Sequence, residues 1–376
     1  MKSLKLNLFS RVLCAAMLSF GLVLTSCGGS PSNSNTNSKA TDLSGSESAN
    51  CYIVSSAGSY MFRTVQGNSS TSVGSVASAE VLWESFGTDV APNVGDLIKS
   101  VSYSSGYITF ATSDTFKEGN AVIAAKDASG TILWSWHIWL TDQPQGQEYF
   151  NNAGTMMDRN LGATSATPGD VGALGLLYQW GRKDPFLCSS SISDEVEAKS
   201  TISWPSAVES TSSTGTISYA TAHPTTFITY NSSNYDWYYT GSKSTDNTRW
   251  TTSDKTKSIY DPCPSGRRVP DGGDNGVWSK VLGSSSHFYH TYGSSNEGMN
   301  FSGKFGSAST IWYPASGYRC YSDGGLSLVG NLGYYWSASP RSNSTYGLSF
   351  NRGDSVEPSG SDGRRAYGQS VRCLQE

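Results

Sequence analysis

The stretch Ile132-Leu133-Trp134-Ser135-Trp136-His137-Ile138-Trp139-Leu140 decides the fold of the first half of the chain. Successive side chains of a β-strand point to opposite faces. Both faces of this strand are therefore largely apolar, since Trp134, Trp136, Ile138 and Leu140 share one face and Trp139 lies on the other. This pattern is typical of a central strand covered on two sides, or of a strand whose outer side is covered by the next domain. We interpret His137 as a hydrogen-bonded interface histidine and not as a metal ligand.

Further short strands surround this one. Turn residues separate apolar runs at residues 51–55, 60–65, 80–83, 98–103, 107–111 and 121–126. Seven strands within about 90 residues predict an all-β sandwich, which we place at residues 50–143. The polar segment Thr141-Asp142-Gln143-Pro144-Gln145-Gly146 predicts the boundary with a second domain. Two domains are also expected from the length of 376 residues, because single cores stop growing at roughly 250 to 300 residues.

The N-terminus has the pattern of a secretory signal. Lys2, Lys5 and Arg11 precede an apolar run at residues 12–24, which is shorter than the ~20 residues of a bilayer span. The run ends in Leu24-Thr25-Ser26-Cys27-Gly28, which resembles the lipobox of bacterial lipoproteins. The resemblance implies that residues 1–26 are removed and that Cys27 is acylated, so that acyl chains hold the protein in a membrane. An ordinary signal peptide that leaves Cys27 as a free thiol is the alternative.

Composition extends this prediction to the mature chain. Loss of Lys2, Lys5 and Arg11 changes the formal net charge from −4 to −7, which argues against nucleic acid as a partner. Ser, Asn, Gly and Thr dominate the next residues, so we expect a flexible tether at residues 27–49. No aspartate follows Cys27, and this favours the bacterial outer membrane. Exposure at the cell surface or to the periplasm stays open.

The second region, residues 147–376, has few predicted helices and a late group of strands, which indicates an α+β domain. We predict helices at residues 169–182 and 275–282, the second capped by Asp274. Alternating segments at residues 311–320, 326–329, 333–339, 346–351 and 367–374 are expected to form one twisted antiparallel sheet.

Five segments of this region carry a specific resemblance. They are Asp158-Arg159-Asn160-Leu161-Gly162-Ala163, Tyr178-Gln179-Trp180-Gly181-Arg182-Lys183-Asp184, Asp261-Pro262-Cys263-Pro264-Ser265-Gly266-Arg267-Arg268-Val269-Pro270, Gly333-Tyr334-Tyr335-Trp336-Ser337 and Ser370-Val371-Arg372-Cys373. In this order they resemble the Fibrobacter succinogenes major paralogous domain, although that family usually has Trp in place of Arg267. The preceding region resembles the β-domain of Bacteroides-type lipoproteins. The resemblance implies a C-type lectin-like fold, akin to formylglycine-generating enzymes, on an envelope protein.

Five cysteines follow Cys27, and an odd number cannot all pair within one chain. We predict a disulfide between Cys263 and Cys373, with buried free thiols as the alternative. Cys51, Cys188 and Cys320 have no spacing that indicates a metal site.

We find no set of catalytic residues and predict neither a cofactor nor a metal. His287 and His290 lack the Glu of an HExxH motif and are interpreted as loop or surface histidines. The triplets with which calcium-dependent lectins hold sugars are absent. An oxidase that resembles formylglycine-generating enzymes would need Cys320 and Cys373 as a copper-binding pair, and is the enzymatic alternative.

Aromatic residues supply the candidate ligand-binding site. Candidate contacts are Tyr235, Trp237, Tyr238, Tyr239, Trp312 and Tyr313, with Trp250 and Tyr318 nearby in sequence. Such rings either stack on a glycan or protein partner or fill the core of a loop-rich domain. We interpret Arg352-Gly353-Asp354 as a turn, although this triplet can also bind integrins. The sequence thus predicts a lipid-anchored binding or adhesion protein without catalysis, with a structural, pilus-associated subunit as a further alternative.

Overall fold

The computed structural model describes residues 39–230, 235–241, 246–252, 254–283, 287–288, 292–342, 344–360 and 363–376. Within these residues the chain is mostly β-sheet and has two α-helices of six residues each. The predicted β-rich class is therefore confirmed. In the part of the chain that the structure describes, no helix reaches the length and apolar character that a membrane span requires. Residues 39–376 form one compact unit.

Eight strands form two four-stranded sheets in the first half of this unit. They are β1 Thr41–Asp42, β2 Cys51–Val54, β3 Ser59–Arg63, β4 Ser78–Ser85, β5 Ile98–Ser104, β6 Tyr107–Thr112, β7 Gly119–Lys126 and β8 Ile132–Leu140. One sheet has the order β1-β3-β6-β5 and the other β2-β8-β7-β4. All seven predicted strands are present. Their inner faces share one core, in which the rings of Phe62 and Trp136 lie 5.1 Å apart.

The predicted tether is too long at its C-terminal end. β1 pairs in parallel with β3, and Leu43 N donates to Met61 O at 2.8 Å. Ser44 and Ala49 are fully buried. Residues 39–49 are thus part of the folded unit, because Ser44 Oγ accepts from Arg63 N at 2.9 Å and Ser48 Oγ donates to Ser69 O at 2.9 Å.

The second half contains eighteen described strands and three short helices. The strands are β9 Gly146–Tyr149, β10 Gly154–Met157, β11 Leu176–Gln179, β12 Phe186–Leu187, β13 Val208–Glu209, β14 Ile228–Thr229, β15 Arg267–Arg268, β16 His287–Phe288, β17 Tyr292–Gly293, β18 Gly298–Asn300, β19 Trp312–Pro314, β20 Tyr318–Arg319, β21 Leu326–Ser327, β22 Leu332–Arg341, β23 Ser344–Asn351, β24 Ser355–Gly360, β25 Gly368–Ser370 and β26 Leu374–Gln375. The helices are the 3-10 helix Val171–Ala173, α1 Ile217–Ala222 and α2 Val277–Leu282.

The prediction of a helix at residues 169–182 is wrong. Only Val171–Ala173 is helical, and Leu176–Gln179 is a strand whose four residues are all buried. Gly175 between them has φ of +72°, and an added β-carbon would come within 2.8 Å of Leu161 O, so this position requires glycine. A helix buries one face, whereas this segment is covered on both sides, as a central strand requires.

The second predicted helix is present as α2, with a different cap. Gly276 occupies the N-cap and no side chain caps the helix. The amide of Val277 donates instead to the carbonyl of Asp271 at 3.0 Å. The prediction that Asp274 caps this helix is therefore wrong. Helix α1 was not predicted, although Thr216 caps it by accepting a hydrogen bond from Tyr219 N.

The late strands form a larger and more mixed sheet than predicted. The main path is β12-β11-β25-β22-β23-β24-β16, with β20 and β21 joined beside β25. Strands β22 and β25 are parallel. The predicted strand 311–320 is divided, because β19 belongs to a separate sheet with β17 and β18, whereas β20 pairs with β25.

One hydrophobic cluster contains residues of both predicted domains and joins them. Cys51, Trp83 and Trp139 on the outer face of the β2-β8-β7-β4 sheet pack with Trp180 and Trp336 of the second half. The indole of Trp139 also donates to Ala163 O at 3.0 Å. The outer apolar face of the quoted strand is thus covered by the second half of the chain, which is one of the two arrangements that the sequence predicted.

Candidate functional site

Half of the predicted contact aromatics lie in the core. Trp237 is fully buried, and its indole donates to Trp180 O at 2.8 Å. Trp312 lies over Gly298, where an added β-carbon would come within 2.5 Å of the indole. Tyr313 is fully buried and shares a hydrogen bond of 2.7 Å with the hydroxyl of Tyr149. The assignment of Trp237, Trp312 and Tyr313 to a ligand surface is therefore wrong, because their faces are already covered by protein.

The other three candidates are nearer to solvent. Tyr235 is exposed, whereas Tyr238 and Tyr239 are half-buried. The Tyr238 ring lies under the guanidinium of Arg249 at 5.3 Å, and Tyr239 packs over Gly215. Only Tyr235 presents a large open face from this segment.

Tyr235 belongs to a continuous surface group that sequence order hides. Six tyrosines, which we call the tyrosine band, contact one another in the order Tyr235, Tyr230, Tyr321, Tyr367, Tyr318 and Tyr334. Neighbouring ring centroids lie between 4.7 and 5.7 Å apart. Tyr235 is exposed and the other five are half-buried. Among the described residues, the hydroxyls of Tyr230, Tyr318, Tyr321 and Tyr367 have no hydrogen-bond partner.

Buried charges hold one end of the tyrosine band. Asp236 is fully buried and accepts from Arg249 Nη1 at 3.1 Å, and Arg365 lies 3.7 Å from the same carboxylate. Burial lowers the pKa of Arg365 to about 10, and the Arg249 charge acts in the same direction. The residues next to this anchored pair in sequence are nearer to solvent, since Tyr235 is exposed and Arg364 is half-buried.

Arg364 lies between two rings of the band. Its guanidinium carbon is 4.5 Å from the centroid of Tyr235 and 4.5 Å from that of Tyr321. Cation–π contacts of this kind hold a planar guanidinium in place without neutralising its charge. The positive charge therefore stays available at the surface of the band.

A cavity of about 350 Å³ adjoins the tyrosine band. It lies on the face of the β22-β23-β24 sheet that carries Tyr334, and Arg341, Ser349, Glu357 and Gln369 also line it. The pairing of β23 with β24 shifts register between Gly347 and Ser349, which locally separates the strands. Because Tyr334 contributes to both features, the band and the cavity form one surface.

The predicted interpretation of His137 is confirmed. The imidazole is buried and its Nε2 lies 2.9 Å from Asn120 Oδ1. Burial lowers the pKa of His137 to about 3, so the ring is neutral at physiological pH. The structure places His287 in strand β16, and His290 lies outside the described residues. Within the described residues, no group of three metal-ligating side chains occurs.

The predicted disulfide is present. Cys263 and Cys373 are bonded, with a Cα–Cα distance of 6.0 Å. Cys51 and Cys188 are buried free thiols, and burial raises the pKa of Cys188 to about 11. Cys320 is partly exposed and lies 3.1 Å from the hydroxyl of Ser322. Since Cys373 is occupied by the disulfide, the pair that the oxidase alternative needs is not formed.

Arg352-Gly353-Asp354 is a turn between β23 and β24, as predicted. Arg352 Nη2 bonds Glu297 Oε1 at 2.9 Å, and Asp354 Oδ1 accepts from Tyr292 N at 2.9 Å. Both charged side chains thus have structural partners within the fold.

No protein-family model, no curated protein and no solved structure matches this chain. The resemblance to the major paralogous domain and the C-type lectin-like arrangement therefore stay predictions. The candidate site depends on the chain's own geometry, namely the tyrosine band, Arg364 and the adjoining cavity.

Proposed function

We propose that this protein is a lipid-anchored envelope protein, acylated at Cys27 and held in the outer membrane, whose second half is a non-catalytic binding module for a glycan. The observation that carries the binding role is the tyrosine band. Its rings offer flat apolar faces edged by polar groups, and the hydroxyls of Tyr230, Tyr318, Tyr321 and Tyr367 have no hydrogen-bond partner among the described residues, which suits the alternating faces and hydroxyls of sugars. A protein partner is the alternative occupant of the same surface.

The adjoining cavity supports a small-molecule or terminal-sugar subsite. Its volume of about 350 Å³ falls within the range of about 300 to 1,000 Å³ that is typical of ligand sites. Polar groups such as Ser349, Glu357 and Gln369 line it. These side chains can donate to and accept from several hydroxyls at once.

The membrane anchor is tested by metabolic labelling with a fatty-acid analogue. We expect label on the wild-type protein and none on Cys27→Ala, together with release of that variant into the soluble fraction. Cys320→Ala serves as the control, because Cys320 also carries a partly exposed thiol. An unlabelled wild-type protein with a free amino terminus would contradict the proposed anchor.

Binding is tested with residues 28–376 on a glycan array. We expect Tyr321→Ala to weaken any observed binding at least tenfold, because Tyr321 contacts Tyr230, Tyr235 and Tyr367 at the middle of the tyrosine band. Tyr107→Ala is the control, since Tyr107 is a half-buried tyrosine at the start of β6, in the first half of the chain. Equal binding by wild type and Tyr321→Ala would place the contact surface elsewhere.

A further inference from the structure

We infer that the glycan bound by the tyrosine band is acidic, and that Arg364 binds its carboxylate or sulfate group. This inference depends on the proposed function, because it assigns the chemical class of ligand for the same surface. The first observation that supports it is the positive charge of Arg364. Among the residues that the structure describes, the guanidinium of Arg364 has no ion pair and no hydrogen-bond acceptor.

Most arginines of the second half differ from Arg364 in this respect. Arg249 is paired with Asp236, Arg319 with Glu197 and Arg352 with Glu297. Arg364 instead has aromatic contacts alone, from Tyr235 and Tyr321 at 4.5 Å each. A guanidinium keeps five N–H donors in one plane. Among the described residues no oxygen accepts from these donors, so they are available for the two oxygens of an anionic group.

A second unpaired guanidinium lies at the cavity. Arg341 lines the cavity and contacts the ring of Tyr346 at 5.4 Å, and it too has no ion pair among the described residues. The two sites are close in the fold, because Arg365 Nη2 donates to Ser342 O at 3.2 Å and to Ser344 O at 3.1 Å. Segment 363–366 therefore runs beside the turn that follows Arg341.

Two acidic groups of the described residues lie near this surface. Glu357 lines the cavity, and Asp323 follows Tyr321 but accepts from Gly325 N at 2.8 Å. The formal net charge of the whole chain is nevertheless negative, at −4. Within the described part of this tyrosine-rich face, two arginines without an ion pair give a charge opposite to the average of the chain. Complementarity of this kind favours an anionic ligand.

The occupant that fits both features is an acidic saccharide. The rings of the tyrosine band match the flat faces of successive sugars, and Arg364 matches one anionic substituent on them. An acidic peptide would satisfy Arg364, but it lacks the flat rings, edged by closely spaced hydroxyls, that match the faces and edges of the tyrosine band. We therefore assign the site to acidic glycans, which carry either carboxylates or sulfates.

Matched glycan pairs test this inference on residues 28–376. One pair is a carrageenan oligosaccharide, whose only charges are sulfates, and its neutral desulfated form; the other is oligogalacturonate and its full methyl ester. We expect at least tenfold tighter binding of the charged member of one pair. The pair that shows the difference identifies sulfate or carboxylate as the group bound. Added salt should weaken the charged member selectively.

Substitutions at Arg364 test whether this residue binds the anionic group of the glycan. We expect Arg364→Gln to weaken binding of the charged glycan at least tenfold and to leave the uncharged member unchanged. Arg364→Lys, which keeps the charge but loses the planar stacking, should weaken it less. Lys99→Gln, which removes an exposed charge from the first sheet, is the control. Thermal unfolding of each variant verifies that the fold is intact.

The outcomes separate this inference from the proposed function. Equal binding of charged and uncharged glycans, with no effect of Arg364→Gln, would overturn the inference and leave a glycan-binding role intact. Binding of an acidic peptide that depends on Arg364, without glycan binding, would overturn both the assigned ligand class and the glycan role. Absence of binding to every member of both pairs and to the wider array would remove the proposed function itself.

Discussion

Individual buried charges fix the geometry on which the tyrosine band depends. Asp236 is fully buried beside two arginines, and Trp180 lies against both guanidinium groups at 4.9 and 4.3 Å. Removing one partner of a buried ion pair leaves an uncompensated charge, which typically costs about 3 to 5 kcal/mol. The residues flanking Asp236 and Arg365 include Tyr235 and Arg364, so stability and binding are linked here.

Asp236→Asn tests this link. We expect the free energy of unfolding to fall by about 3 to 5 kcal/mol, because two buried guanidinium groups lose their negative partner. Denaturant titration measures the change. Asp114→Asn removes an exposed partner of Lys99 and should change stability little. A similar small effect for both substitutions would mean that the buried network does not stabilise this part of the fold.

The buried carboxyl group of Asp261 makes the free energy of unfolding increase as the pH falls, which is the opposite of the usual effect of a carboxylate. The carboxylate is buried, accepts from Cys263 N at 2.8 Å and Val269 N at 2.9 Å, and burial raises its pKa to about 6. The folded state therefore binds this proton more readily than the unfolded state, whose pKa is about 3.9. Stability from this group increases as pH falls from 7 towards 5, and decreases as pH rises through 6.

The variant Asp261→Asn tests the contribution of Asp261 to the pH dependence of stability. We expect the stability difference between wild type and the variant to grow by roughly 1 to 3 kcal/mol as pH falls from 7 to 4.5, because the variant cannot take up the proton. Denaturant titrations at several pH values measure it. If the free energies of unfolding of wild type and variant changed in parallel with pH, Asp261 would have an ordinary pKa in the folded protein.

At the level of secondary-structure elements, the sequence predicted strands correctly where apolar and polar residues alternate within one segment. Alternation placed all seven strands of residues 50–143, and the apolar outer face of Ile132–Leu140 indicated cover from the second half. The segment 169–182 was assigned wrongly because a buried strand after Gly175 has the same apolar spacing as an amphipathic helix. The tyrosine band could not be predicted, since its members are brought together only by tertiary contacts between residues 230 and 367. Of its six members, only Tyr235 is among the candidate contacts that the sequence predicts, with Tyr318 named nearby.

Gly333 in strand β22 provides a test of strand packing. It lies opposite Phe350 of β23, and an added β-carbon would come within 2.1 Å of that ring. We expect Gly333→Ala to lower the free energy of unfolding by about 1 to 3 kcal/mol, because Phe350 must move within a packed core. Gly45→Ala, where the nearest atom is 3.7 Å away, is the control. Thermal and denaturant unfolding measure both, and equal effects would contradict the close packing.

The disulfide links two elements of the same sheet region. Cys373 directly precedes β26, which pairs with both β10 and β15, while Cys263 precedes β15. The bond closes a loop with a sequence separation of 110, and such loops contribute about 4 to 5 kcal/mol in the chain-entropy model. We expect Cys263→Ala with Cys373→Ala to lower stability by about 2 to 5 kcal/mol. Cys188→Ala with Cys320→Ala is the control, because it removes two free thiols and no cross-link. A reducing agent should lower the stability of this control, as it does for the wild type, but not the stability of the variant that lacks Cys263 and Cys373.

For the whole molecule, the shared core predicts one cooperative transition and not two. Cys51, Trp83 and Trp139 of the first half pack in the same cluster as Trp180 and Trp336 of the second. A fragment of residues 39–143 would expose this apolar face, so we expect it to aggregate or to unfold at a much lower temperature than the intact protein. Trp139→Ala should lower stability by about 3 to 5 kcal/mol and affect both halves together. Calorimetry and hydrogen exchange across the chain measure this. Two separate transitions, or a fragment as stable as the intact chain, would show that each half maintains its own core and that the contact between them contributes little.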